Sequence, residues 1–213
     1  MDLSSPISSV IPTAHGAVLA VLASTSEPMS ARRVAALTDG RFGQWRVNEV
    51  LGQLADSGVA LREIRPPAKL YRLNRDHVAA AGIEALAGQR DVLLSRIRSE
   101  LGTWAVPAEA VWMFGSAARG DGNAASDVDL LFVRPDAVDS DDPIWLQQID
   151  DLSEHIGRWS GNGCEPVEYA RAELTAMVSR RERLVDELRS DALSLCGASP
   201  RILLRRSRAK MVS

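Results

Sequence analysis

The stretch from Val111 to Val133, VWMFGSAARGDGNAASDVDLLFV, restricts the fold of this chain more than any other. An apolar run, Val111-Trp112-Met113-Phe114, stops at Gly115-Ser116; after a small, polar connection a second apolar run opens at Val128 and ends at Val133. Short apolar runs bounded by Gly, Ser and Asn are strand signals, so the stretch is expected to fold as strand, turn, strand. The second strand carries two acids. Successive side chains of a strand point to opposite faces, which sets Asp127 and Asp129 on the same one. Neighbouring carboxylates repel unless a positive charge lies between them, and an unpaired Asp129 wedged between Val128 and Leu130 would be costly to desolvate. Oxygen ligands of this kind suit hard cations such as Mg²⁺, so the pair is a candidate metal seat. At the other joint, Ser116-Ala117-Ala118-Arg119 offers a capping residue followed by helix formers. Free N–H groups at a helix start attract phosphate, and glycine lets phosphate approach the main chain, so Gly115 and Ser116 are candidate phosphate ligands.

The pattern Gly115-Ser116, Arg119-Gly120, Ser126-Asp127-Val128-Asp129-Leu130 resembles the signature of the DNA polymerase beta-like nucleotidyltransferase superfamily. The resemblance covers roughly residues 105–195 and implies a short mixed sheet flanked by helices. It also implies two Mg²⁺ ions held by Asp127, Asp129 and a third acid, and transfer of a nucleoside monophosphate from a nucleoside triphosphate. Gly115, Ser116, Arg119 and Ser126 would then bind the nucleotide, with Arg119 neutralising charge on the leaving group. The third acid should come from a neighbouring strand, for which Glu165-Pro166-Val167-Glu168-Tyr169-Ala170 is the candidate. Glu165 and Glu168 both qualify by type but have opposite strand parity, so only one can share a face with the aspartates. The Val-Glu pair matches the family pattern better, and Glu168 is the expected ligand and catalytic acid.

Charge divides the chain of 213 residues more sharply than its net value of −3 suggests. Residues 32–75 hold nine Lys or Arg against four acids, whereas residues 121–154 hold ten acids against Arg134 alone. A basic domain is therefore expected ahead of an acidic one. Within residues 12–75, Ala14–Ala23 reads as an apolar helix, Ser30 caps a second, and Gln44–Ser57 is a third, with Val47, Val50, Leu51 and Leu54 at helical spacing. Two alternating segments follow, Val59–Ile64 and Lys69–Leu73, as in a half-buried hairpin. Three helices and two strands in this order resemble a winged helix-turn-helix domain. Gln44, Trp45, Arg46 and Asn48 would then face base edges of DNA or RNA, and Arg65, Lys69 and Arg72 would touch phosphates. The plainer alternative puts Trp45 in the core and the basic residues on a solvated face.

Residues 76–104 are mainly helix formers with an apolar stripe through Ile83, Leu86, Val92, Leu93, Ile97 and Leu101, interrupted by Gly82 and Gly88. They are expected to form a helical connector, able to pair with a second copy in a homodimer or with a partner protein. Pro143 should open a helix to about Arg158, and Ser179–Leu195 a charged amphipathic one. Residues 196–213 form a basic tail. Cys164 and Cys196 show no metal-ligand spacing and read as reduced thiols, and no stretch is long enough to cross a bilayer. A soluble, cytoplasmic α+β protein without a membrane partner is expected.

Two functions compete at this level. One is metal-dependent nucleotidyl transfer to a hydroxyl of RNA or protein; small members of the resembled superfamily also occur in toxin–antitoxin pairs. The other is a DNA-binding transcriptional regulator whose nucleotidyltransferase domain senses nucleotide without turnover.

Overall fold

The computed structural model describes residues 1–38 and 40–205, so the basic segment 206–213 lies outside the described residues. The chain divides into two compact units, one of residues 4–91 with Asp2, the other from residue 92 onward with Met1 and Leu3.

The first unit holds α1 (Pro6–Val10), α2 (Ala14–Ala23), β1 (Met29–Ser30), α3 (Ala31–Ala36), α4 (Gln44–Asp56), β2 (Ala60–Arg65), β3 (Ala68–Leu73) and α5 (Ala80–Ala87). Helix α3 starts where the sequence places a cap, with the Ser30 hydroxyl accepting from the Arg33 N–H at 3.3 Å. The helical spacing of α4 works as read, since Val47, Val50, Leu51 and Leu54 are all buried. They pack with Val18 and Leu22 of α2, Val34 of α3 and Tyr71 and Leu73 of β3. Strands β2 and β3 form an antiparallel hairpin in register from Ala60↔Leu73 to Arg65↔Ala68. The two residues of β1 pair with the far side of β3, giving the order β1-β3-β2.

The second unit follows helix α6 (Gln89–Leu101) and contains β4 (Ala110–Phe114), α7 (Gly115–Arg119), β5 (Val128–Arg134), α8 (Pro143–Ser160), β6 (Cys164–Ala170), α9 (Arg171–Arg180), α10 (Arg183–Asp191), β7 (Leu193–Gly197) and α11 (Pro200–Leu203). Its sheet has the order β6-β5-β4-β7, with β5 and β6 parallel and the other pairs antiparallel. This is the short mixed sheet that the resemblance implies. Both faces are covered, which is why β4 and β5 read as continuous apolar runs rather than alternating ones. Val111, Met113, Leu130 and Phe132 pack with Leu94 and Ile97 of α6 and with Trp145, Ile149 and Leu152 of α8. Ala110, Trp112, Leu131 and Val133 pack on the other side with Leu174 and Val178 of α9 and Val185 and Leu188 of α10. Asp142 sets the start of α8 by accepting from the Ile144 and Trp145 N–H groups, both at 2.9 Å, with Pro143 in the first turn.

Two readings of the C-terminal region are corrected. The expected helix 179–195 is broken at Arg181, which takes a left-handed conformation, and its last residues become strand β7. Leu193–Gly197 covers the free edge of β4, and the Trp112 indole N–H donates to Ala198 O at 2.8 Å just beyond it. The described part of the expected tail is likewise folded, with Leu204 buried in the core beside α10. Among the described residues no helix is long and apolar enough to cross a membrane.

Candidate active site

The two joints read from the sequence meet at one end of the second unit's sheet. Strand β4 ends at Phe114, whose register partner on β5 is Asp129. The chain then turns at Gly115, with φ +66°, and a Cβ added there would collide with Asp129 Oδ2. Glycine is required twice over, for the left-handed backbone and for the approach of the carboxylate. Beyond it, Ser116 O accepts from the N–H groups of Gly120, Asp121 and Gly122 at 3.0, 3.2 and 3.3 Å, curling the connection around the end of α7. Ser126 closes the same connection, its hydroxyl accepting from the Asn123 N–H at 3.0 Å.

Asp127 sits one residue before β5, next to the start of β6. The Val128 N–H donates to Gly163 O at 2.8 Å, and a Cβ on Gly163 would collide with Asp127 Oδ1. Asn162, with 3% of its surface exposed, fixes this corner by donating to Ser126 O at 2.9 Å. Asn162 lies in the Ser160-Gly161-Asn162-Gly163 segment at the end of α8 and is not among the expected site residues. Its signal is the asparagine among small residues, a type that hydrogen-bonds nearby backbone where chains change direction.

The third acid is decided by the register of β5 against β6. These parallel strands pair Val128 with Cys164, Asp129 with Glu165 and Phe132 with Glu168. Residues paired across a ladder share a face, so Glu165 stands beside Asp129 while Glu168, three residues on, points the other way. The expectation of Glu168 as the third ligand is corrected accordingly. Its carboxylate is held between β5 and α8, with Arg134 Nε donating to Oε1 at 2.8 Å and the Trp145 indole N–H donating to Oε2. A carboxylate so engaged in an apolar layer is a structural anchor, and freeing it would leave Arg134 without its counter-charge.

The electrostatics of the corner follow from this arrangement. Burial, then the charges of Glu165 and Asp127, hold the Asp129 carboxyl above the usual carboxylate range, while Arg119 pulls it the other way. Burial pushes the neighbouring Cys164 thiol up to about 11, opposed by a hydrogen bond with Ser153 and reinforced by the charges of Asp129, Asp127 and Glu165. Arg119 is exposed on the outer side of α7 and reaches Asp121 at 3.0 Å and Asp191 at 3.6 Å. Among the described residues no three His, Cys, Asp or Glu side chains are gathered tightly enough to hold a metal ion as they stand. The chemistry of Asp127, Asp129 and Glu165 nonetheless fits Mg²⁺, since the donors are all hard oxygens and their mutual repulsion is what a divalent cation relieves.

The residues singled out for nucleic acid lie in the first unit. Gln44, Trp45, Arg46 and Asn48 are all exposed at the start of α4, and Trp45 has 77% of its surface accessible, which removes the core reading of that side chain. Arg46 is paired with Glu49 at 2.7 Å, and on the hairpin Arg65 and Arg72 share Glu63 at 2.9 and 3.7 Å. Lys69 is exposed on β3.

Residues 94–187 match the model of the nucleotidyltransferase domain family. The matched span includes Gly115, Ser116, Asp127, Asp129 and Glu165. No curated protein matches the sequence. Two solved structures show a distant likeness. A crystal structure of a toxin-antitoxin with AMP-PNP is 14% identical over 52% of this chain and 80% of that one, with a TM-score of 0.35. A candidate nucleotidyltransferase from Sulfolobus solfataricus is 20% identical over 50% of this chain and 81% of that one, with a TM-score of 0.30. Both likenesses are too remote to carry function.

Proposed function

We propose that the second unit is a metal-dependent nucleotidyltransferase that moves a nucleoside monophosphate from a nucleoside triphosphate to a hydroxyl of RNA or protein. One observation supports this reading: within a span that matches the nucleotidyltransferase domain, Asp129 pairs with Glu165 across the β5–β6 ladder, feels the charge of Asp127, and lies against Gly115. Asp127, Asp129 and Glu165 would hold Mg²⁺, which when bound supplies neutralisation of the triphosphate and of the attacking and leaving oxygens.

The remaining work falls to the chain. Gly115 presents its backbone to the triphosphate without a side chain in the way, and the Ser116 hydroxyl supports it with a hydrogen bond. Ser126, tied into the loop ahead of Asp127, keeps that loop on the nucleotide's side of the strand. Arg119, whose charge acts on Asp129, would exchange Asp121 for the leaving pyrophosphate. A carboxylate oxygen of the cluster takes the proton of the acceptor hydroxyl as the new bond forms. The test is incubation with Mg²⁺ and each nucleoside triphosphate labelled at the α-phosphate, alongside total RNA and cell lysate. A labelled acceptor is expected, and replacement of Asp127 and Asp129 by Asn should abolish it; no label with any triphosphate would overturn the proposal.

A second reading is favoured by the exposure of Trp45 beside Gln44, Arg46 and Asn48. In it, the first unit is a winged helix-turn-helix that binds DNA, with Arg65, Lys69 and Arg72 on the phosphates, and the nucleotidyltransferase domain senses nucleotide. Retention of a specific DNA fragment at physiological salt, with no label transfer, would favour this regulator over the enzyme.

A further inference from the structure

A cavity of about 570 Å³ outside the acid cluster runs along α9 and is walled on its other side by α11. It shares no residue with the acid site. Three arginines line it, Arg171 at the first position of α9, Arg181 just past its last, and Arg205 after α11, with Thr175, Val178 and Ile202 between them. Arg171 is paired with Glu109, whereas among the described residues no carboxylate lies within ion-pair distance of Arg181 or Arg205. A cavity with two uncompensated guanidinium groups and a third at its end is built for an anion, and guanidinium forks match phosphate oxygens in geometry as well as charge.

Length narrows the choice of anion. Arg171 and Arg181 are ten residues apart along α9, about 15 Å at the helical rise of about 1.5 Å per residue. A cavity of about 570 Å³ at that separation has room for more than one phosphate group. Phosphates recur at regular intervals along a single strand, so a groove of this length can engage more than one of them in series. No aromatic ring lines it, so bases are not read by stacking there, and Val178 and Ile202 offer apolar contact to sugars. Arg181 adds a local sign: its φ of +56° is a left-handed conformation that costs a non-glycine residue about 1 kcal/mol. A glycine would fit without that cost, yet the position carries the guanidinium that closes the groove.

We infer that this groove binds the phosphate backbone of a single-stranded nucleic acid, without reading its sequence. The groove is independent of nucleotidyl transfer, and the strand should bind the Asp127→Asn/Asp129→Asn variant as it binds the natural chain.

The experiment is fluorescence anisotropy of a labelled 12-nucleotide RNA of mixed sequence on the full chain, titrated with salt and without nucleoside triphosphate. Arg181→Gly/Arg205→Ala is expected to weaken binding at least tenfold and to flatten the salt dependence by about 1.4, near 0.7 per lost phosphate contact. Arg181→Lys/Arg205→Lys should restore most of the affinity. Thr175→Glu, which sets a carboxylate in the groove at an exposed helical position, should weaken binding similarly and guards against misfolding of the first variant. Unchanged binding in both the Arg181/Arg205 and the Thr175 variants would overturn the inference, as would loss confined to Arg46→Ala/Lys69→Ala. Displacement of the RNA by adenosine monophosphate or inorganic phosphate at equal phosphate concentration would also overturn it, in favour of a small phosphate ligand.

Discussion

Glu165 and Glu168 lie three residues apart on one strand and have identical side chains, yet they face different surroundings. Glu165 stands in the open beside two carboxylates that repel it, with only the register of β5 against β6 to bring it there. Glu168 lies on the reverse side, clamped by Arg134 and Trp145. The difference shows how a fold sorts acids by consequence. A satisfied carboxylate stabilises the unit, and an unsatisfied cluster persists at a cost that a cation can offset.

The contrast can be broken in decreasing order of effect. Glu165→Gln should lower label transfer about a hundredfold while leaving the melting temperature within a degree or so, because removing a metal ligand costs chemistry and among the described residues Glu165 has no ion pair or side-chain hydrogen bond. A drop in stability without loss of transfer would reverse the roles of the two glutamates. Gly115→Ala should cost roughly tenfold in transfer, since its Cβ displaces the Asp129 carboxylate and the left-handed φ penalises alanine by about 1 kcal/mol; kinetics combined with thermal melting separates the two. Glu168→Ala should destabilise the unit by about 2 kcal/mol, read from denaturant unfolding, with transfer per folded molecule within about twofold of the natural chain.

The smallest effect concerns the sign of a titration. The Asp129 carboxyl is raised in the folded chain, so its charged form is the disfavoured one there. A raised group contributes stability below its unfolded pKa and loses it as pH rises through the folded value. Asp129→Asn should therefore melt about 2 °C higher than the natural chain at neutral pH, with the gain vanishing as pH falls below the carboxylate range. A variant that melts lower at neutral pH, in the absence of divalent cations, would show that Asp129 is stabilised by a partner rather than strained by its neighbours.

What was legible in the sequence was local. Asp127 and Asp129 are two residues apart on a strand, Gly115-Ser116 directly follows another, and α4 buries a stripe at helical spacing, so short-range periodicity sufficed. The third acid was not legible, because Glu165 and Glu168 differ only in which meets Asp129 across a ladder between strands more than thirty residues apart. Strand β7 was hidden for a related reason: its five residues follow a charged helical run, and only pairing with β4 makes them a strand. Asn162 acts through Ser126, a contact that exists only once β5 and β6 are side by side.

The most direct test of the central claim is calorimetric titration of Mg²⁺, with a non-hydrolysable nucleoside triphosphate present, into the natural chain and the Glu165→Gln and Glu168→Gln variants. If Asp127, Asp129 and Glu165 form the metal seat, Mg²⁺ affinity falls at least tenfold in Glu165→Gln and is unchanged in Glu168→Gln. Undiminished affinity in Glu165→Gln, or a loss confined to Glu168→Gln, would contradict it.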